Sequence, residues 1–470
     1  MNQQLKVVTV TVAVLGSLLS GYALAALSEA DAKRLDTDLT PTGATRAGNA
    51  DNTIPEWKGG LKAPPAGWKP EQGYTDPFVN EKPLFTITGA NADQYKDKLS
   101  PGLLALLKKY PDFRMPVYPS HRTAALPDTA YFMIRAEGPK IEMKEGRITG
   151  RVYSPVPFPV PRTGDEAMQN HILRHVGGSY EREGNWLAVL FNGEVFKGGR
   201  FDHVVTAASF TPPQGGNLGG ALLGRFTGPA ILEGTTLLVH EPIDQVTEQR
   251  SAWVYNAGQR RVRRAPDVGY DNFADGTLGL RTNDQFQAFN GATDRYNWKL
   301  VGKKEMYVPY NTYKIGDKKL KYKNMVDTHT IRSDLMRYEL HRVWVVEATQ
   351  KDGMRHVYGK RTFYLDEDSW MVLGEDVYDT RGSLWRVGVH GLRQNYDALV
   401  PWYGVQIWHD VTNQGYLADG LDNEIKAPIV FGKKAKWADF QPERLDGKGI
   451  AGDADSGKAR LKVSSNDRTP

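Results

Sequence analysis

The sequence predicts a mainly β protein with a few peripheral α-helices: a long, strongly curved antiparallel sheet from about residue 190 to 410, with helices on one face. Three observations carry this. Turn signals recur between runs of β-branched and aromatic residues through the second half of the chain. Composition suits sheets joined by turns, with 48 glycines, 27 prolines and 10% aromatic residues. Helical periodicity is confined to two short stretches. A meander of this length can bury its apolar side by pairing into a sandwich or by curling into a barrel or half-barrel, and the pattern alone leaves both open.

Taken in order, the chain opens with an export signal. Met1–Leu5 are uncharged, Lys6 gives one positive charge, and Val7–Leu19 form an apolar run of about 13 residues, too short to span a bilayer. Ala23-Leu24-Ala25 puts small residues where signal peptidase inspects, so residues 1–25 are expected to be removed and the mature chain to begin at Ala26. No later run reaches about 18 apolar residues, so no transmembrane helix is expected in the mature chain. With no cysteine there is neither a disulfide framework nor a lipid-bearing residue after the cut. The expected location is the periplasm, as a protein that is not itself a lipoprotein. A net charge of +5 over 470 residues is far below that of a nucleic-acid binder, and no nucleic-acid partner is expected.

Residues 26–90 read as an extended arm in which proline and glycine recur and no period is sustained. Trp57, Trp68, Tyr74 and Phe78 argue that the arm packs along the body, because disordered segments are poor in aromatics. One domain is expected over 91–435. Ser100-Pro101 starts a helix whose apolar face is Leu103, Leu104, Leu106 and Leu107 and which stops before Pro111. Alternating Pro155, Pro157, Pro159 and Pro161 make a stiff connector, followed by a second helix around Ala167–His175. Strands begin near Val189. Ile231–His240 holds one broken by Gly234. Hairpins are expected for Ser251–Tyr255 with Arg260–Arg264, Tyr338–Thr349 with Met354–Leu365, and Trp370–Tyr378 with Ser383–His390; Trp402–His409 follows as a further strand. Residues 436–470 read as a polar tail.

The search for chemistry finds no nucleophile elbow, zinc-protease motif or P-loop. His171 and His175 stand at i, i+4 without the third ligand of a metal site, so no metal and no cofactor are expected. The glycine-rich stretch Gly215–Gly220 reads as a flexible loop or lid. Asp366, Glu367 and Asp368, between two strands, read as a solvated turn. The cluster Arg260, Arg261, Arg263 and Arg264 reads either as a solvated sheet edge or as a site for lipid headgroups or an acidic partner.

Four segments resemble a known family. They are WVYNAGQRRVRRAP (Trp253–Pro266), DRYNWKLVGKKEMYVPYN (Asp294–Asn311), RYELHRVWVVEA with KRTFYLDEDSW (within Arg337–Trp370), and VYPSHRTAALP (Val117–Pro127). They are similar to a large proteobacterial family built on a domain of unknown function, whose members are described as outer-membrane lipoprotein-sorting proteins. The resemblance spans about residues 30 to 435. It implies a fold like the LolA/LolB carriers, an unclosed antiparallel barrel with helices over a hollow that holds acyl chains. It also implies an RND-type exporter and an outer-membrane protein as partners.

The function expected is therefore a periplasmic binding or carrier protein for a lipidic or other hydrophobic ligand. An exported hydrolase acting on glycans or lipids, and a non-catalytic scaffold of an envelope complex, are the alternatives. The residues expected to line the hollow are Trp253, Tyr255, Trp298, Trp344, Phe363, Trp370 and Trp402. N-terminal sequencing of protein recovered from the periplasmic fraction is expected to start at or beside Ala26, whereas an intact Met1 on the stable form overturns the signal.

Overall fold

The computed structural model describes residues 27–445, apart from 36, 150 and 151; the export signal and residues 446–470 lie outside the described residues. The N-terminal part contributes α1 (Glu29–Arg34), β1 (Phe85–Ile87), α2 (Pro101–Lys109), β2 (Met115–Val117), α3 (Asp128–Glu137), the small hairpin β3 (Glu142–Lys144) and β4 (Arg147–Thr149), and α4 (Gly164–Ile172). A first antiparallel meander follows: β5 (Ser179–Val189), β6 (Val195–Thr206), β7 (Leu218–Gly228), β8 (Thr236–Pro242), β9 (Ser251–Asn256) and β10 (Arg261–Arg264). A second comprises β11 (Tyr296–Pro309), β12 (Tyr338–Gln350), β13 (Lys360–Asp366), β14 (Val372–Tyr378), β15 (Leu384–Asn395), β16 (Val400–Asp410) and β17 (Tyr416–Leu421), with β18 (Val430–Phe431) beyond it.

The two meanders fuse because β17 pairs antiparallel with β5, making one 16-stranded sheet. The sheet curves enough for β11 to pack against β15, and it does not close: among the described residues no pairing joins β10 to β1 or β11. The expected mainly β, curved and unclosed antiparallel architecture is what the chain adopts. Segments differ locally, for physical reasons. The strand expected from Met354 starts only at Lys360, since His356 and Tyr358 turn into a buried polar cluster. Trp370 is not in a strand. It occupies a left-handed turn (φ 60°) and is wholly buried.

Both faces of the second meander are covered, so β16 is buried along its whole length rather than alternating. Leu103, Leu106 and Leu107 of α2 pack on one face with Val387, Val389, Val405 and Ile407; each such side chain removed from water contributes about 1.5–3 kcal/mol. Ser100 caps α2, accepting from the Leu103 amide at 3.0 Å, and donates to Asp376 at 3.0 Å. The helix sits so close to the sheet that a Cβ on Gly102 would lie 2.1 Å from Asp376 Oδ1, which only glycine avoids. The arm packs as its aromatics suggest: Trp57 meets Tyr131 edge-on, and Trp68 and Tyr74 close around Tyr396. The start of the presumed polar tail also packs, with Trp437, Phe440 and Leu445 against Phe210 and Leu238.

Burial drives the Asp376 carboxyl up to about 6, against hydrogen bonds from Tyr364, the Gly102 amide and Ser100. Between its ordinary 3.8 and about 6 the native state keeps a proton that the unfolded chain has lost, so this contribution is full below about pH 4 and fades as pH rises. In Asp376→Asn, which cannot ionise, the unfolding midpoint relative to wild type is expected to climb from about pH 4 to about pH 7 and then level off. A pH-independent difference in thermal unfolding contradicts this.

Candidate functional site

The linker between the meanders, residues 265–295, folds back over the sheet instead of running through solvent. Thr282 and Gln285 form a buried capping box, placing Asp284 beneath the surface. Arg361 on β13 donates to Asp284 at 2.6 Å and to Glu375 on β14 at 3.1 Å, all three wholly or almost wholly buried. Burial works to raise the Asp284 pKa, but Arg361 and His356 outweigh it and hold the carboxyl far below its usual range. At Glu375 burial wins and the pKa is raised.

Between this linker and the first meander lies a cavity of about 220 Å³. Its wall takes alternate residues of each strand: Arg182 and Trp186 of β5, Arg200 and Asp202 of β6, Leu222 and Phe226 of β7, Leu237 and Val239 of β8, and Val254 of β9. One end is apolar, where Leu222, Val239 and Val254 pack with Val268 and Phe286 of the linker. The other end is charged. Arg200 grips Asp202, a close approach that Gly224 permits, since a Cβ there would lie 3.1 Å from the Arg200 side chain. Beside the apolar residues, one inward-facing step beyond Val239 on β8, Glu241 pairs with Arg250 at 2.7 Å, and Arg250 also donates to the Asn290 carbonyl. Arg281, from the linker, rests over Trp408, and Arg182 over Trp402. This arrangement offers an apolar slot beside a set of cation-bearing donors, the layout of an amphiphile site.

The seven aromatics expected to line one hollow do not converge; none lines this cavity. Trp253 and Tyr255 flank Val254 on β9 and so point to the opposite face, where they pack beside Trp437. Trp298, Trp344, Phe363 and Trp370 belong to the large core under the arm and α4, Trp344 stacked on Trp370 at 6.0 Å. Trp402 packs with Tyr180 and Phe431 and supports Arg182 from behind. The wall is made by other residues, aliphatic and charged side chains together with Trp186, Phe226 and Phe286, and alternation on β8 and β9 was the signal that could have found its aliphatic part.

Other expectations are corrected or placed. Asp366, Glu367 and Asp368 are not a solvated turn but are buried, because the arm lies across them. Arg122 holds Asp368 at 2.7 and 2.9 Å, while Lys303 and Arg342 each reach Glu367 at 2.8 Å. His341, Asp366 and Asp368 bring possible metal-ligand atoms within 4.8 Å of one another, in a cluster already engaged by Arg122, Tyr310 and Ser369. His171 is held on both sides, Nε2 3.0 Å from the Gln287 carbonyl and Nδ1 accepting from the Val372 amide at 3.3 Å, and burial holds its pKa well below the ordinary value. His175 instead borders a separate cavity of about 250 Å³ together with Gly215, Gly216 and Gly219 of the glycine-rich stretch. Arg261, Arg263 and Arg264 lie exposed on β10, the sheet edge; Arg260 begins the strand at φ 52°. Arg263 pairs with Val254, so Arg261 and Arg263 share the cavity-side face, and Arg264 covers Trp253 on the other.

The profile of a family described as "Protein of unknown function (DUF1329)" matches residues 86–446. Uncharacterized protein PA3922 of Pseudomonas aeruginosa is 46% identical over 440 residues, covering 92% of this chain and 96% of that one. Among solved structures, a DUF1329 family protein from Desulfovibrio piger is similar at 15% identity over 57% of this chain and 92% of that one, with a TM-score of 0.40. LolA superfamily protein NE2245 from Nitrosomonas europaea is similar at 12% identity, over 60% and 98% of the two chains, with a TM-score of 0.37.

Replacing Arg261 and Arg263 together with Gln is expected to leave the unfolding midpoint unchanged, as exposed edge charges contribute little. The same variant should bind vesicles of anionic lipid more weakly than wild type, whose binding should itself weaken with added salt. An unfolded variant would place these arginines in a structural network, and unaltered vesicle binding would leave them a solvated edge.

Proposed function

The chain belongs to the DUF1329 family, and from that membership and the cavity beneath the linker we propose a periplasmic binding or carrier protein for a lipidic ligand. The observation that carries the reading is the cavity between the first meander and residues 265–295, apolar along Leu222, Val239 and Val254 and lined beyond them by Arg182, Arg200 and Arg281, with Arg200 over Phe286 between the two. Burying an alkyl chain there recovers about 25 cal/mol per Å² with few polar contacts. The export signal supports the periplasmic placement, and among the described residues no helix is long and apolar enough to cross a membrane. The motif resemblance to lipoprotein-sorting carriers points the same way. In this reading an RND-type exporter and an outer-membrane protein supply or receive the ligand, and the arginine edge of β10, beside the cavity wall, meets an acidic partner or headgroups.

A lipophilic fluorophore is expected to bind the mature protein with saturable one-to-one stoichiometry and to be displaced by extracted envelope lipids. Val254→Trp, which fills the apolar end from a half-buried position, should weaken that binding by about tenfold or more with little change in the unfolding midpoint. Binding that never saturates, or that is indifferent to Val254→Trp, removes the carrier reading.

A further inference from the structure

We propose that the charged end of the cavity is a receptor for an acidic headgroup, a carboxylate or phosphate, seated between Arg182 and Arg281 with its alkyl chain along the apolar wall. This rests on the carrier reading and names its ligand class.

The argument starts from unmet hydrogen-bonding capacity. Arg182 Nε and Arg281 Nε are both buried, and neither has a hydrogen-bond partner. Arg281 is only 6% exposed, and the Arg182 side chain 10%. A guanidinium removed from water ordinarily finds acceptors for its N–H groups, because burying such a group unsatisfied is costly. Both belong to the wall of the same cavity.

The neighbouring carboxylates do not fill that need. Asp202 is gripped by Arg200 and lies 3.8 Å from Arg182, outside hydrogen-bond reach. Glu241 is taken by Arg250 and Asn290. Asp419 accepts from the Gly420 amide at one oxygen, and neither Asp419 nor Asp275 hydrogen-bonds to either Nε. Four arginines and four carboxylates line the cavity, so its unmet capacity lies in the two orphaned Nε donors and not in net charge.

Each of the two arginines also has an aromatic ring beside it. Arg281 sits 5.5 Å above Trp408, whose indole N–H donates to Glu375 at 2.8 Å. Arg182 sits 5.6 Å above Trp402. A guanidinium beside an aromatic ring keeps its N–H groups free for acceptors, and a planar carboxylate or a phosphate can accept from them in charge-assisted bonds. The apolar end of the same cavity takes the chain that such a head carries. A neutral head can accept a single uncharged bond where a carboxylate or phosphate can meet both Nε donors with charge-assisted ones, so the site discriminates by head chemistry.

The test uses the delipidated mature protein and three probes of equal chain length: dodecanoate, dodecyl phosphate and dodecanol, each displacing the bound fluorophore. The two acids should displace it at concentrations about tenfold lower than the alcohol, and the tighter of the two identifies a carboxylate or a phosphate as the natural head. Arg281→Met should erase that preference while leaving dodecanol unchanged. It should also keep or raise the unfolding midpoint of the ligand-free protein, because a buried guanidinium without its partner is replaced by apolar volume. Arg182→Met repeats the test should Arg281→Met fail to fold. Equal displacement by all three probes in wild type, or an acid preference that survives both substitutions, overturns the headgroup site while leaving the carrier reading intact. A lowered midpoint in Arg281→Met with its acid preference intact makes the residue structural and likewise overturns the proposal. If no probe, including dodecanol, displaces the fluorophore, the carrier reading itself fails, and this inference with it.

Discussion

Arg361 is fully buried between a carboxylate of the linker and one of the sheet, and the placement of the linker depends on that contact. An unclosed sheet of this size leaves a broad face that water would wet, and something must cover it. Here the chain covers it with the segment that joins its own two meanders. Apolar contacts of Phe289 and Ala288 provide area, but area alone does not choose which segment settles there or in what register. The guanidinium chooses, because removing one partner of a buried pair costs about 3–5 kcal/mol, and only Asp284 presents the matching charge from the linker. Tyr358, His356, Gln285 and Trp408 complete the cluster, so its polar groups are largely satisfied without water.

A second ionic cluster does for the arm what the first does for the linker. Arg122 reaches Asp368 and Glu367 on the sheet side and the Thr45, Arg46 and Pro55 carbonyls on the arm side. Glu367 also accepts from the Thr45 amide. The turn after β13 is thus the anchor over which residues 40–55 are laid, and Trp370, donating to the Thr42 carbonyl, closes the seam from below. Sheet and arm are specified together, since neither the acidic turn nor the arm carbonyls would be satisfied alone.

The legible part of this molecule was the part governed by local rules. Turn chemistry at Asp352-Gly353 and Asp379–Gly382 and the β-branched runs beside them fall where hairpins form, and Ser100-Pro101 starts a helix as capping physics requires. What could not be read was set by partners distant in sequence. Asp366–Asp368 looks like any solvated acidic turn until Arg122, some 245 residues away, is brought beside it. The linker, polar and rich in glycine, gives no sign that Asp284 and Gln285 are interior. The aromatics misled for a different reason: on β9 the large rings mark the face that packs against the C-terminal segment, while the cavity is bounded by Val254 between them. A binding hollow needs space, and space is made by the smaller residues.

Trp186 donates to the Gly276 carbonyl at 2.8 Å, and Arg250 reaches Asn290, so the linker is fastened to the first meander on both sides of the cavity. The same segment is fastened to the second meander through Asp284. In the carrier reading a molecule seated at Arg281 would lie beneath a strap tied at three points, beside the exposed Asp275. Loosening any one tie would widen the way in, so on this reading exchange would quicken with the local opening of residues 265–295. On the proposed carrier reading, a partner that lifted the strap would speed loading and release alike, and the direction of transfer would be left to the affinities at either end.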